Sequence, residues 1–79
     1  MNFGIWLENK LRELDRSNSW LAKKIHIVPS TLRRWTLGLN MPNLAIAYRI
    51  AKVLSIEEHK EISEVWIEIL TVIEASKCS

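Results

Sequence analysis

The sequence predicts an all-α fold: one small domain built of five helices. Three observations carry this. Glycine and proline number two each among 79 residues, which leaves little material for long loops. Leu, Ile, Ala, Glu and Lys dominate, a composition that favours helix. Apolar residues recur at spacings of three and four, and no stretch shows the alternation of a half-buried strand. A chain of this length can build one modest core, but not a deep, lidded substrate cleft.

The first helix is expected over about residues 3–15, with Phe3, Leu7, Leu11 and Leu14 as its buried stripe and Trp6 beside it. Ser17, Asn18 and Ser19 interrupt that pattern. Side-chain oxygens of this kind accept from the unpaired amides of a first turn, so Ser17 is the expected cap of a second helix reaching about Ile25. Leu21 and Ile25 face inward on it, with Ala22 alongside. Residues 26–28 form a short turn. Pro29 suits the first position of a third helix, where its missing N–H costs nothing, and Gly38 stops that helix at about residue 37. Asn43 caps a fourth helix over about 44–54, with Leu44, Ala47, Ile50, Ala51 and Leu54 on its inner face. Ser55 and Glu58 read as an S-x-x-E capping box for a fifth helix running to about residue 75. On that helix Glu57, Glu61, Glu64 and Glu68 mark a narrow solvated stripe. Its apolar positions, Ile62, Val65, Trp66, Ile67, Ile69, Leu70, Val72 and Ile73, cover about 220°, where one core-facing stripe needs little more than about 100°. Residues 1–56 would thus hold the first four helices and 57–79 the fifth, within one domain. The excess apolar arc predicts dimerisation through Trp66, Ile69, Leu70 and Ile73.

The net charge of +2 conceals a segregation. Between residues 16 and 52 stand Arg16, Lys23, Lys24, Arg33, Arg34, Arg49 and Lys52, with no Asp or Glu among them, so this segment carries +7. Residues 1–15 carry −1 and residues 53–79 carry −4. A basic middle and an acidic end suggest surfaces with different partners. The single cysteine, Cys78, has no disulfide partner, no metal-ligand spacing and no base beside it, which points to a reducing, cytoplasmic setting. The opening MNFGIWLENK lacks the layout of a signal peptide, and no stretch reaches the length of a membrane span. His26 and His59 stand apart from any Cys or carboxylate at ligand spacing, so no metal or cofactor is expected. No nucleophile, acid–base pair or metal set suggests an enzyme.

The stretch HIVPSTLRRW at 26–35 is the most informative. On a helical wheel Leu32 and Trp35 define the buried side of the third helix, and Ser30, Arg33, Arg34 and Leu37 lie opposite. A helix of this width fits the DNA major groove, where arginine can donate two bonds to guanine O6 and N7 or hold a phosphate. Two short helices joined by a tight turn make a helix-turn-helix. Ala22 allows the second helix of the pair to cross closely, and Ile27 plugs the corner.

LAKKIHIVPSTLRRWTLGLNMP, followed by NLAIAYRIAKVL, resembles the phage-repressor and Cro-type helix-turn-helix domains, the XRE family. The likeness covers about residues 11–56. It rests on the Leu21-Ala22 pair, Ile27, the P-S-T-L block at 29–32, the R-W-x-x-G block at 34–38, Pro42 and the Ile50-Ala51…Leu54 pattern. The resemblance implies a five-helix, lambda-repressor-like domain whose third helix enters the major groove. It implies that Asn18 touches a phosphate and that Ser30, Arg33 and Arg34 face bases or nearby phosphates. Pro29 occupies a position that often reads a base, and here could do so only by apolar contact. With Lys23, Thr31 and Asn40, these residues make up the candidate DNA-contacting set. The chain departs from the family pattern at three places. His26 stands where a glycine of positive φ is usual, Val28 where Ser or Thr caps the third helix, and Leu39 and Asn40 where Lys or Arg often meets phosphate. Trp35 is expected in the core, and Trp20 is expected to close over the shortened turn between the first two helices.

The function so implied is a sequence-specific DNA-binding transcriptional regulator, a homodimeric repressor of phage or mobile-element type on a roughly palindromic operator. Its partners would be double-stranded DNA and a second copy of itself, with no membrane and no small-molecule effector. The alternative reading is a protein-interaction module, an antitoxin or accessory subunit whose fifth helix docks a different chain.

Overall fold

The computed structural model describes residues 2–77 and is helical throughout. Helix α1 spans Phe3–Glu13, α2 Asn18–Lys24, α3 Pro29–Thr36, α4 Leu44–Glu58 and α5 Ile62–Lys77. Cys78 lies outside the described residues. Among the described residues no helix is long and apolar enough to cross a membrane.

Side chains start three of the helices as the sequence requires. Asn2 Oδ1 accepts from the Ile5 amide at 2.8 Å, Ser17 Oγ from Trp20 at 3.1 Å and Asn43 Oδ1 from Ile46 at 2.9 Å. Four helices stop by one device. Asp15, His26, Gly38 and His59 follow α1 to α4 in the left-handed region, with φ between 56° and 77°. The next amide then reaches back to a free carbonyl. Arg16 donates to Leu11 at 2.8 Å, Ile27 to Ala22 at 3.0 Å, Leu39 to Arg34 at 2.9 Å and Lys60 to Ser55 at 3.0 Å. Each corner therefore needs only a few residues, which is why so little glycine and proline suffices. Only Gly38 adopts this backbone without a Cβ penalty.

Leu7, Leu21, Leu32, Ile50, Leu54, Val65 and Ile69 fill the centre and are fully buried. Ala22, Ala47 and Ala51 let backbones approach where larger residues would hold them apart. Helix α3 packs on α1 and α2, and α5 packs on α4 and α1. The Phe3 amide donates to Ser76 Oγ at 2.8 Å and ties the start of α1 to the last turn of α5.

The boundary between α4 and α5 differs from the sequence expectation. Helix α4 continues to Glu58, and a division at 56/57 cuts through its last turn. Ser55 caps nothing. It is buried inside α4, and its hydroxyl donates to the Lys52 carbonyl at 2.8 Å. The Glu58 carboxylate is held by α1 instead, accepting from Lys10 Nζ at 2.8 Å. A local S-x-x-E pattern is thus overridden by a partner 48 residues away. Leu44, expected on the inner face of α4, is 61 % exposed.

Helix α5 also uses its wide apolar arc differently. Because it lies against two neighbours, Val65, Ile69, Val72 and Ile73 are all buried within the protomer. Ile69 and Ile73, expected on the dimer seam, are 0 % and 5 % exposed and cannot meet another chain without opening the core. Trp66 and Leu70 are half-buried and reach the surface. Nor is Glu68 a purely solvated member of a polar stripe. Its Oε1 accepts from the Trp6 indole at 2.8 Å and faces Lys10 Nζ at 3.3 Å. Burial alone would raise the Glu68 pKa, but the Trp6 bond and the Lys10 bond and charge outweigh it and hold the carboxyl below its ordinary value. Burial likewise works against the Lys10 ammonium, and the bonds and charges of Glu58 and Glu68 outweigh it, so its pKa is raised. This cluster clamps α1, α4 and α5 together.

Candidate nucleic-acid interface

The outward face of α3 is held by what lies behind it. Leu32 and Trp35 anchor its inner side, and both are buried. Gly4 fixes how closely α1 approaches its C-terminal end. A Cβ at Gly4 would lie 3.0 Å from the Thr36 carbonyl oxygen and closer still to that of Trp35. At the other end, the turn from α2 is closed by the Ile27–Ala22 backbone bond, with His26 at φ 59°. Helix α3 begins on Pro29 with no side-chain cap, because Val28 has no group to offer.

On the face away from Leu32 and Trp35, Ser30, Arg33, Arg34 and Leu37 are all exposed. Pro29 is exposed at the N-terminal end of α3, and Thr31 is half-buried at its side. Asn18 is half-exposed at the start of α2, and Lys23 and Lys24 are exposed at its end. Among the described residues Asn18, Lys23, Ser30 and Arg33 have no hydrogen-bond or ion-pair partner for their side chains. Arg34 and Asn40 are brought together. With the amide oxygen turned to the guanidinium, Asn40 accepts from Arg34 Nε at 3.1 Å and its NH₂ donates to the Leu39 carbonyl at 2.8 Å.

The basic segment does not act as one surface. Arg16 pairs with Glu57 at 3.2 Å and lies 5.0 Å from the ring centre of Trp20, which closes over the α1–α2 turn as expected. Arg49 donates to the Ile25 carbonyl at 3.4 Å, at the end of α2. Lys52 lies over the Tyr48 ring at 5.5 Å. These three have internal roles, and sequence patterning alone could not separate them from the others. The ion pairs among the described residues join α1 to itself or residues 10–16 to α4 and α5, and none involves α2 or α3. Among the described residues Lys23, Lys24, Arg33 and Arg34 therefore stand together on the α2–α3 pair with no carboxylate bonded to them.

Such a surface can bind a polyanion. Unpaired lysine and arginine replace the counterions of a phosphate backbone, while a guanidinium on a helix inserted in the major groove can bond base edges. No cluster of three or more His, Cys, Asp or Glu able to hold a metal occurs among the described residues. His26 and His59 instead serve as helix-ending corners.

A helix-turn-helix family model matches the chain over residues 7–60. No curated protein and no solved structure matches the chain.

Proposed function

The chain belongs to the Cro/XRE-type helix-turn-helix family of DNA-binding regulators, and from that premise we propose that it represses transcription by binding a specific operator as a homodimer. One observation carries the reading. The outward face of α3 presents Ser30, Arg33 and Arg34 with no acid beside them, although the chain pairs basic residues elsewhere with carboxylates. In this reading α3 lies in the major groove, and Asn18 and Lys23 on α2 meet the phosphate backbone. Repression follows from occlusion of a promoter, on the pattern of the phage and mobile-element repressors that the sequence resembles.

A second surface supports the homodimer. Leu44 and Tyr48 are one turn apart on α4, and Trp66 and Leu70 are one turn apart on α5. Tyr48 and Trp66 meet edge to face at 5.3 Å and join the two pairs into one apolar stripe. With Leu44 61 % and Tyr48 40 % exposed, this stripe takes the place of a seam that would include Ile69 and Ile73. Two copies meeting across a two-fold axis would place their α3 helices on half-sites about one helical turn apart.

The test is selection of binding sites from random duplex DNA by the purified protein, combined with sedimentation at micromolar concentration. An enriched inverted repeat and a dimer whose association is abolished by Tyr48→Asp are expected. A single enriched half-site with a monomeric protein removes the dimer and leaves DNA reading intact. Binding without enrichment removes sequence-specific repression and favours a module whose apolar stripe docks another protein.

A further inference from the structure

Arg33 and Arg34 are neighbours on one exposed face, yet the structure treats them differently. The Arg33 side chain has no internal partner among the described residues. The Asn40 side-chain amide lies 3.1 Å from Arg34 Nε, and in the orientation that satisfies both of its polar atoms its oxygen takes the single Nε–H. The loop that brings Asn40 there is itself fixed. Gly38, at φ 77°, turns the chain, and the Leu39 amide bonds back to the carbonyl of Arg34 at 2.9 Å. In that orientation the Leu39 carbonyl accepts from the Asn40 side-chain NH₂ at 2.8 Å, which keeps the acceptor toward the guanidinium. Backbone and side chain of the same arginine are thus bound by one three-residue loop.

Guanidinium chemistry gives this a consequence. Arginine carries five N–H donors in a rigid fork, and it can offer a planar partner either the Nε and one Nη or both Nη groups. With Nε occupied by Asn40, only the end-on pair remains. That pair matches the O6 and N7 acceptors of a guanine edge in the major groove. A side chain already held in place also loses less rotamer freedom on binding than a free one. Resting on the DNA-binding reading above, we propose that Asn40 is a positioning residue that presents the end-on fork of Arg34 to a guanine, leaving Arg33 as a mobile phosphate contact. Asn40 then acts on base discrimination without touching a base.

The test compares wild type, Arg34→Ala, Asn40→Ala and the double variant on the selected duplex and on duplexes altered one base pair at a time. Arg34→Ala should lose about 5- to 150-fold in discrimination at one G·C pair, the range of a bidentate arginine contact. Asn40→Ala should lose roughly 3- to 10-fold at that same pair, a fraction of the full contact. It should have no further effect on discrimination at that pair in the Arg34→Ala background. Asn40 is exposed, so its variant keeps the fold. Equal weakening on every sequence, or an effect that persists without Arg34, would overturn the proposal. The free protein gives an independent readout. The ¹⁵Nε–H resonance of Arg34 should exchange slowly with water and become fast in Asn40→Ala, whereas that of Arg33 should be fast in both. If the wild type shows no sequence preference, the repressor reading fails; an Arg34 resonance insensitive to Asn40 refutes the positioning contact itself.

Discussion

Gly4→Ala separates what helix propensity predicts from what the packing predicts, because the two differ in sign. Gly4 lies within α1, and alanine is the better helix former by up to about 1 kcal/mol. By propensity alone the substitution stabilises. In the folded protein the added methyl would stand 3.0 Å from the Thr36 carbonyl oxygen and nearer to that of Trp35. Both are backbone atoms of α3, so no side-chain rotation can relieve the overlap. Restoring ordinary contact requires α3 to retreat from α1 by about 1 Å, which loosens the packing around Phe3, Leu32 and Trp35. Overpacking of this kind costs about 1–3 kcal/mol and lies at the upper end where backbone must move. Net of the propensity gain, Gly4→Ala should destabilise by about 2 kcal/mol, lowering Tm by roughly 8–16 °C for a domain of this size. Thermal unfolding followed by circular dichroism at 222 nm measures it. An unchanged or higher Tm would refute the close α1–α3 approach. DNA affinity should fall as well, measured well below the lowered Tm, because the retreating backbone carries Arg33 and Arg34.

Three further outcomes follow from the caps, corners and buried charges. Val28→Thr supplies the missing cap of α3 at nearly constant shape and should stabilise by about 1 kcal/mol, read as an increased urea midpoint with unchanged slope. His59→Gly relieves a left-handed residue at an exposed corner and should raise stability by about 0.5–1 kcal/mol after the greater chain entropy of glycine is counted, seen in the same urea titration. Glu68→Gln tests the α1–α5 clamp through pH. The Glu68 pKa lies below its ordinary 4.5 in the folded protein, so its contribution is present above pH 4.5 and disappears as pH falls through the lowered value. The variant should be less stable than wild type by under about 1 kcal/mol at pH 7, since the carboxylate is partly exposed, and the difference should close in acid. A gap that widens in acid would contradict the ion pair.

Much of the fold is legible in the sequence because the forces that set it act over a few residues. Ser17, Asn43, Pro29 and Gly38 mark helix ends through bonds or backbone preferences within one turn, and each stands where it was expected. The period of Leu32 and Trp35 against Ser30, Arg33 and Arg34 distinguishes the buried from the open side of α3. The misread elements depend on partners far along the chain. Glu58 reads as a capping residue until Lys10 is seen beside it, and Glu68 as solvated until Trp6, 62 residues away, donates to it. Arg16 belongs to a basic run in the sequence and to Glu57 in space.

By itself, then, the sequence determined the number of helices, the helix-turn-helix at residues 18–36 and the basic face of its second helix, because periodicity and capping are local properties. Only the tertiary structure decided how many neighbours each helix has. It placed α5 against both α1 and α4, which buried Ile69 and Ile73, set Tyr48 against Trp66 and left Leu44 at the surface. It also assigned Arg16 and Arg49 to internal partners, set Gly4 against the backbone of α3 and brought Asn40 to Arg34. A hydrophobic period reports that a face is buried, and a charge reports that it seeks a partner. Which surface and which partner are settled only when the chain has closed on itself.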